Sequence, residues 1–163
     1  MRDKFLTRLL YASTAAKSYN SSELGRILES CRKNNPRLAV TGMLFLDNNY
    51  FLQCLEGSRE NVNALYRQLL QDSRHENVQI LEMKEVTERY FGDWSMKYVP
   101  SAAVIKRIMQ ETGLRQFDPY AIDNYTVNAM MESFRNYRDA DQNGVPKTKP
   151  ERSFLSSLFS RNA

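Results

Sequence analysis

The chain has 163 residues, 42% of them hydrophobic, and a formal net charge of +4. That length fits one domain with an appendage, and no run approaches the roughly 20 apolar residues of a membrane span. Two cysteines outside any C-x-x-C pair and a single histidine speak against a Cys/His zinc site, and no serine stands out as a triad partner for His75. Basic residues are mixed with acids throughout, which reads as a solvated surface and not a nucleic-acid interface. Met1 to Phe5 carries no apolar signal-peptide core, so a cytoplasmic protein is expected.

Residues 5–13 read as a first strand with Leu9, Tyr11 and Ser13 on one face. Asn20 is an N-cap candidate, and Glu23 three residues on completes a capping box. Leu24, Ile27, Leu28 and Cys31 then follow at the spacing of one buried helix face. Pro36 should stop this helix by excluding α geometry at Asn35, which leaves Asn34 and Asn35 at its end. Strands are expected at 40–46 and 50–56, joined through Asp47-Asn48-Asn49, good hairpin chemistry. Ser58 caps a second helix with Val62, Leu65, Tyr66, Leu69 and Leu70 as its apolar positions. A polar loop at 72–77 leads to a fourth strand at 78–86, and a short fifth strand at 94–99 is closed by Pro100.

The order β-α-β-β-α-β-β predicts an α+β, ferredoxin-like fold: a five-stranded mixed sheet with two helices on one face. Beyond residue 100, Val104, Ile105, Ile108 and Met109 suit a helix ended by Gly113. Asp118-Pro119 opens a turn or a helix start, and Met130, Met131, Phe134 and Tyr137 mark an amphipathic helix from about Asp123. These two helices are too short for a core of their own, so they should pack on the open face of the sheet or form a dimer contact. The division expected is 1–100 for the sheet domain, 101–138 for the helical extension, and 139–163 for a flexible tail with a short docking helix at 153–160 as one option.

Phe51-Leu52-Gln53-Cys54-Leu55-Glu56-Gly57 is the stretch that points to chemistry. Alternation puts Gln53 on the same face as Phe51 and Leu55, so a primary amide projects into an apolar layer. Left unsatisfied it would cost roughly 1–3 kcal/mol. Two readings fit: a satisfied structural amide, or a switch, because turning the amide over exchanges donor and acceptor. In a ferredoxin-like sheet Tyr11 would lie beside Gln53, Asn34 and Asn35 would end the helix above them, and Ile27 and Leu69 would wall a slot. A flat heterocycle, apolar on its faces and polar at its rim, suits such a slot.

The segments Leu10-Tyr11-Ala12-Ser13, Lys33-Asn34-Asn35-Pro36, Thr41-Gly42-Met43-Leu44, Phe51 to Gly57, Asp72-Ser73-Arg74-His75 and Trp94-Ser95-Met96 together resemble a BLUF domain, the blue-light sensor using FAD, over about residues 5–100. The resemblance implies FAD held noncovalently and Tyr11 as electron and proton donor to it. It implies Gln53 between Tyr11 and the flavin N5/O4 edge, Asn34 and Asn35 on the ring's polar rim, and Ile27 and Leu69 sandwiching the ring. Lys33, Asp72, Arg74 and His75 match positions lining the ribityl and phosphate side. Trp94 and Met96 match a pair that exchanges places near the flavin on signalling. It further implies a sensor and not an enzyme, a separate downstream partner protein, and frequent homo-oligomers. The alternatives are a flavin reductase, an acyl-phosphate hydrolase, or an interaction module without light response. Ser13-Thr14-Ala15-Ala16 offers no arginine for the hydrolase's anion cradle.

Overall fold

The computed structural model describes residues 5–138, so the expectations for 139–163, including a helix at 153–160, lie outside the described residues. Five strands, β1 (Leu6–Ala15), β2 (Thr41–Asp47), β3 (Tyr50–Ser58), β4 (His75–Glu85) and β5 (Lys97–Pro100), form one sheet in the order β4-β1-β3-β2-β5. The β2–β5 pair is parallel and the others antiparallel, so the sheet is mixed, as the ferredoxin-like reading requires. Helices α1 (Ser21–Asn34) and α2 (Arg59–Leu69) lie on one side. Helices α3 (Ser101–Thr112) and α4 (Asn124–Asn136) cover the other, which settles their packing in favour of the open sheet face.

Local chemistry accounts for most boundaries. Asn48 and Asn49 adopt left-handed φ values of 49° and 67°, the geometry a two-residue hairpin between Asp47 and Tyr50 needs. Ser58 caps α2 by accepting from the Asn61 N–H at 3.2 Å. A Cβ at position 42 would overlap the Cys54 carbonyl oxygen, so Gly42 is what lets β2 and β3 approach. Asn20 caps α1 through the Ser22 N–H at 3.0 Å, but Glu23 does not close a capping box; its carboxylate pairs with Arg26 at 3.1 Å.

Several boundaries differ from expectation. Asn35 keeps α geometry (φ −60°, ψ −40°) despite Pro36, because the chain continues as a 3-10 helix, Asn35–Leu38, whose first turn needs no proline N–H. It ends at Ala39, left-handed at φ 49°. β4 begins at His75 and not at 78: this polar stretch pairs with β1 along the edge of the sheet, with a bulge at the left-handed Asn77. β5 starts only at Lys97, leaving Trp94 in the preceding loop. Leu70 lies past the end of α2 and is exposed.

Because both faces of the sheet are covered, alternation divides its residues between two cores. Leu10, Ala12, Phe45, Leu52 and Cys54 face α3 and α4, where Phe45 packs against Phe117 and Phe134 with ring centroids 5.2 and 5.0 Å away. Leu9, Tyr11, Leu44, Phe51 and Leu55 face α1 and α2.

Candidate functional site

On the α1/α2 side the sheet does not pack flush against its helices. A cavity of about 230 Å³ opens there. Its floor is Tyr11, Leu44, Phe51 and Gln53; Ile27, Ser30, Cys31 and Asn34 line it from α1, and Leu65, Gln68 and Leu69 from α2. Asp72, Arg74 and His75 line the remaining edge.

Tyr11 and Gln53 are register partners on β1 and β3, and the Tyr11 hydroxyl donates to Gln53 Oε1. Both side chains are buried. Among the described residues the amide nitrogen of Gln53 finds only sulfur: Met96 Sδ at 3.6 Å and Cys31 Sγ at 4.0 Å. Sulfur is a weak acceptor, so this amide is firmly held on its oxygen side and loosely on its nitrogen side. Burial pushes the Tyr11 phenol well above its ordinary pKa, with Cys31 and Asp72 nearby adding to the effect. Burial likewise raises the Cys31 thiol to about 11.

The polar edge is already organised. Arg74 grips Asp72 through Nε–Oδ1 at 2.9 Å and Nη2–Oδ2 at 2.6 Å, and Asp72 also accepts the Arg74 backbone N–H at 3.0 Å. Partial burial favours the neutral acid, but these bonds outweigh it and hold the Asp72 carboxyl below its ordinary range. His75 Nε2 lies 2.8 Å from the Leu69 carbonyl, which only accepts, so that nitrogen carries the hydrogen and Nδ1, 2.9 Å from Ser13 Oγ, accepts from it.

Of the residues singled out from the sequence, Tyr11, Ile27, Asn34, Asn35, Gln53, Leu69, Asp72, Arg74 and His75 all line this one cavity. Lys33 does not; it is exposed on a flank of α1 away from the wall. Asn34 is exposed and bonds Ser30 Oγ at 3.3 Å, whereas Asn35 is buried and its Nδ2 donates to the Ser95 carbonyl at 2.8 Å. Met96 points inward and is buried against Gln53, while Trp94 lines a different cavity, near Lys97. Sequence reasoning missed Ser30 and Cys31 as wall residues, although the spacing i+3 and i+4 from Ile27 carries that signal. Leu38 was not foreseen because the 3-10 helix bearing it was not.

The family profile described as sensors of blue-light using FAD matches residues 6–97. The chain belongs to the BLUF family. Over 95 residues it is 34% identical to photoactivated adenylate cyclase subunit beta of Euglena longa, a match covering 58% of this chain but 11% of that protein. Over 92 residues it is 32% identical to the blue light- and temperature-regulated antirepressor BluF of Escherichia coli K12, covering 56% of this chain and 23% of that one. The chain thus spans a small part of the curated BLUF proteins it matches. The photo-activated state of BlsA superposes with a TM-score of 0.78 at 29% identity, covering 82% of this chain and 97% of that one. BlrB, a BLUF protein in its dark state, shares the fold at a TM-score of 0.67 and 24% identity. Among the described residues no helix is long and apolar enough to cross a membrane, and no group of His, Cys, Asp and Glu suits a metal ion.

Proposed function

We propose that this BLUF chain binds FAD noncovalently in the α1/α2 cavity and reports blue light by turning over the Gln53 amide. The observation that carries this reading is the buried Tyr11–Gln53 pair, whose amide NH₂ meets only two sulfur acceptors at the cavity wall. A flavin rim of ring nitrogens and carbonyls suits that donor set: apolar walls from Ile27 and Leu69, amides from Gln53, Asn34 and Asn35, and the Asp72–Arg74 fork at the edge. Arg74 is the phosphate partner we favour, with His75 beside it.

When bound, FAD supplies the absorption of blue light and the site that accepts an electron. Tyr11 would be the residue that lends that electron. Its phenol, kept protonated by burial, becomes strongly acidic on oxidation, and Gln53 Oε1 is the atom in reach of the proton. The electron and the proton would then return to Tyr11, so that no net oxidation remains and the amide alone is left turned over or as its imidic tautomer. The turned amide is the less well satisfied of its two arrangements, so the change reverses in the dark. No product is formed, which makes the chain a sensor and not an enzyme in our reading. The output runs through β5 to α3 and α4 and on to a separate partner protein, with homo-oligomers as an added element of assembly. The deciding experiment is Tyr11→Phe: flavin retained, red shift on illumination lost. A normal red shift in that variant would sink the mechanism.

A further inference from the structure

Alternation along β5 separates two neighbours that the backbone ties together. Met96 faces Gln53, and Lys97 faces the opposite core, where it is 3% exposed. The Lys97 ammonium donates to three backbone carbonyls at the C-terminal end of α4: Phe134 at 3.0 Å, Arg135 at 3.5 Å and Tyr137 at 2.7 Å. The last carbonyls of a helix have no intrahelical partner, and a cation is the group that satisfies them best. Arg138 caps the same end, donating to the Arg135 and Tyr137 carbonyls at 2.8 and 3.1 Å. No carboxylate among the described residues pairs with Lys97. Burial and the Arg138 charge together bring its pKa down to about 8. The ammonium is thus held in place by the helix carbonyls against a desolvation cost, in a cavity shared with Tyr90, Asp93, Trp94 and Arg135.

We propose that Lys97 is a latch through which the Gln53 switch controls the C-terminal turn of α4. This rests on the photosensor reading above and adds its output step. In the structure Gln53 Nε2 donates to Met96 Sδ, and we assign this arrangement to the dark. Turning the amide over puts its oxygen against a sulfur that can only accept, so Met96 is pushed from its seat. Met96 lies just outside the β2–β5 ladder, which begins at Lys97. The segment before the ladder is tied to the domain by the Asn35 amide on the Ser95 carbonyl and the Gly42 N–H on the Trp94 carbonyl. Displacement of Met96 is therefore passed to the adjacent Lys97, withdrawing its ammonium from the Phe134, Arg135 and Tyr137 carbonyls and fraying the last turn of α4.

The test is backbone hydrogen exchange on the full chain with FAD, in the dark and under continuous blue light, with the red shift recorded on the same sample. Wild type should show the shift together with roughly tenfold or faster exchange at the amides of residues 134–137, the loss expected when charge-assisted bonds release a helix end. Lys97→Met should keep the shift but exchange fast there in dark and light alike. A red shift with unchanged exchange at 134–137 in wild type overturns the latch and leaves the photosensor standing, and this needs no variant to fold. So does a light response at 134–137 that survives in Lys97→Met. A wild type without a red shift overturns the photosensor reading, and the latch with it.

Discussion

The two faces of this sheet are built from the same strands, residue by residue in alternation, yet they are finished differently. The α3/α4 face is closed with interlocking aromatics, Phe45, Phe117 and Phe134, and its buried charges are tied down, Arg8 on Glu56 and Lys97 on the end of α4. The α1/α2 face is left open, with a cavity of about 230 Å³ and an amide whose donors meet only sulfur. A close-packed core resists change, because its side chains have one good arrangement. A site meant to switch needs slack and two nearly equal arrangements of a polar group. On our proposal the open face holds the switching amide, and the closed face receives its signal at the end of α4.

Truncations on the two faces should break that division most visibly. Phe134→Ala leaves a hole in the closed core and should lower unfolding free energy in urea by about 3–5 kcal/mol. Ile27→Ala, on the cavity wall, should cost the FAD-free chain about 1 kcal/mol or less and mainly weaken FAD retention. Equal losses would contradict the comparison. Tyr11→Phe and Gln53→Leu each remove one member of the proposed switching pair, so both should abolish the red shift, with a stability loss for Tyr11→Phe of about 1–3 kcal/mol from the unpaired Gln53 oxygen. Met96→Leu keeps the packing and removes the nearer sulfur acceptor of Gln53. The dark arrangement loses a partner, so the shift should persist and dark recovery slow several-fold, read by flash absorption; faster recovery would argue against the sulfur contact. The smallest effect concerns pH. Lys97 has a folded pKa of about 8 against an ordinary 10.5. Between those values the unfolded chain holds a proton that the folded chain does not, so this group's contribution to stability rises with pH across that window. The buried Cys31 thiol works the other way above about pH 9, since its pKa is raised to about 11. Subtracting Lys97→Met from wild type cancels Cys31, and the wild-type advantage in urea unfolding should be larger at pH 9.5 than at pH 7.

Much of this was legible in the chain. The alternation around Gln53, the asparagine turn at 48–49, the Ser58 cap and the spacing of Ile27 and Cys31 are local signals that tertiary contacts do not override. β4 and β5 were harder. His75 enters its strand because Ser13 and the Leu69 carbonyl satisfy its ring, a long-range arrangement that a polar loop composition hides. Trp94 looks like strand sequence, but the ladder with β2 begins only at Lys97. Pro36 misled because its effect depends on whether the next turn is α or 3-10. Lys33 shares its segment with Asn34, yet one helical position separates a cavity wall from solvent. Nothing local announces Lys97, since a lysine on a strand reads as surface until the end of α4 arrives above it.

The most direct test of the central claim is the visible spectrum of the purified chain with FAD, taken in the dark and after blue light. The account predicts a bound-flavin spectrum that moves slightly to the red and returns in the dark. Failure to take up FAD, or bound flavin that does not shift, would contradict it.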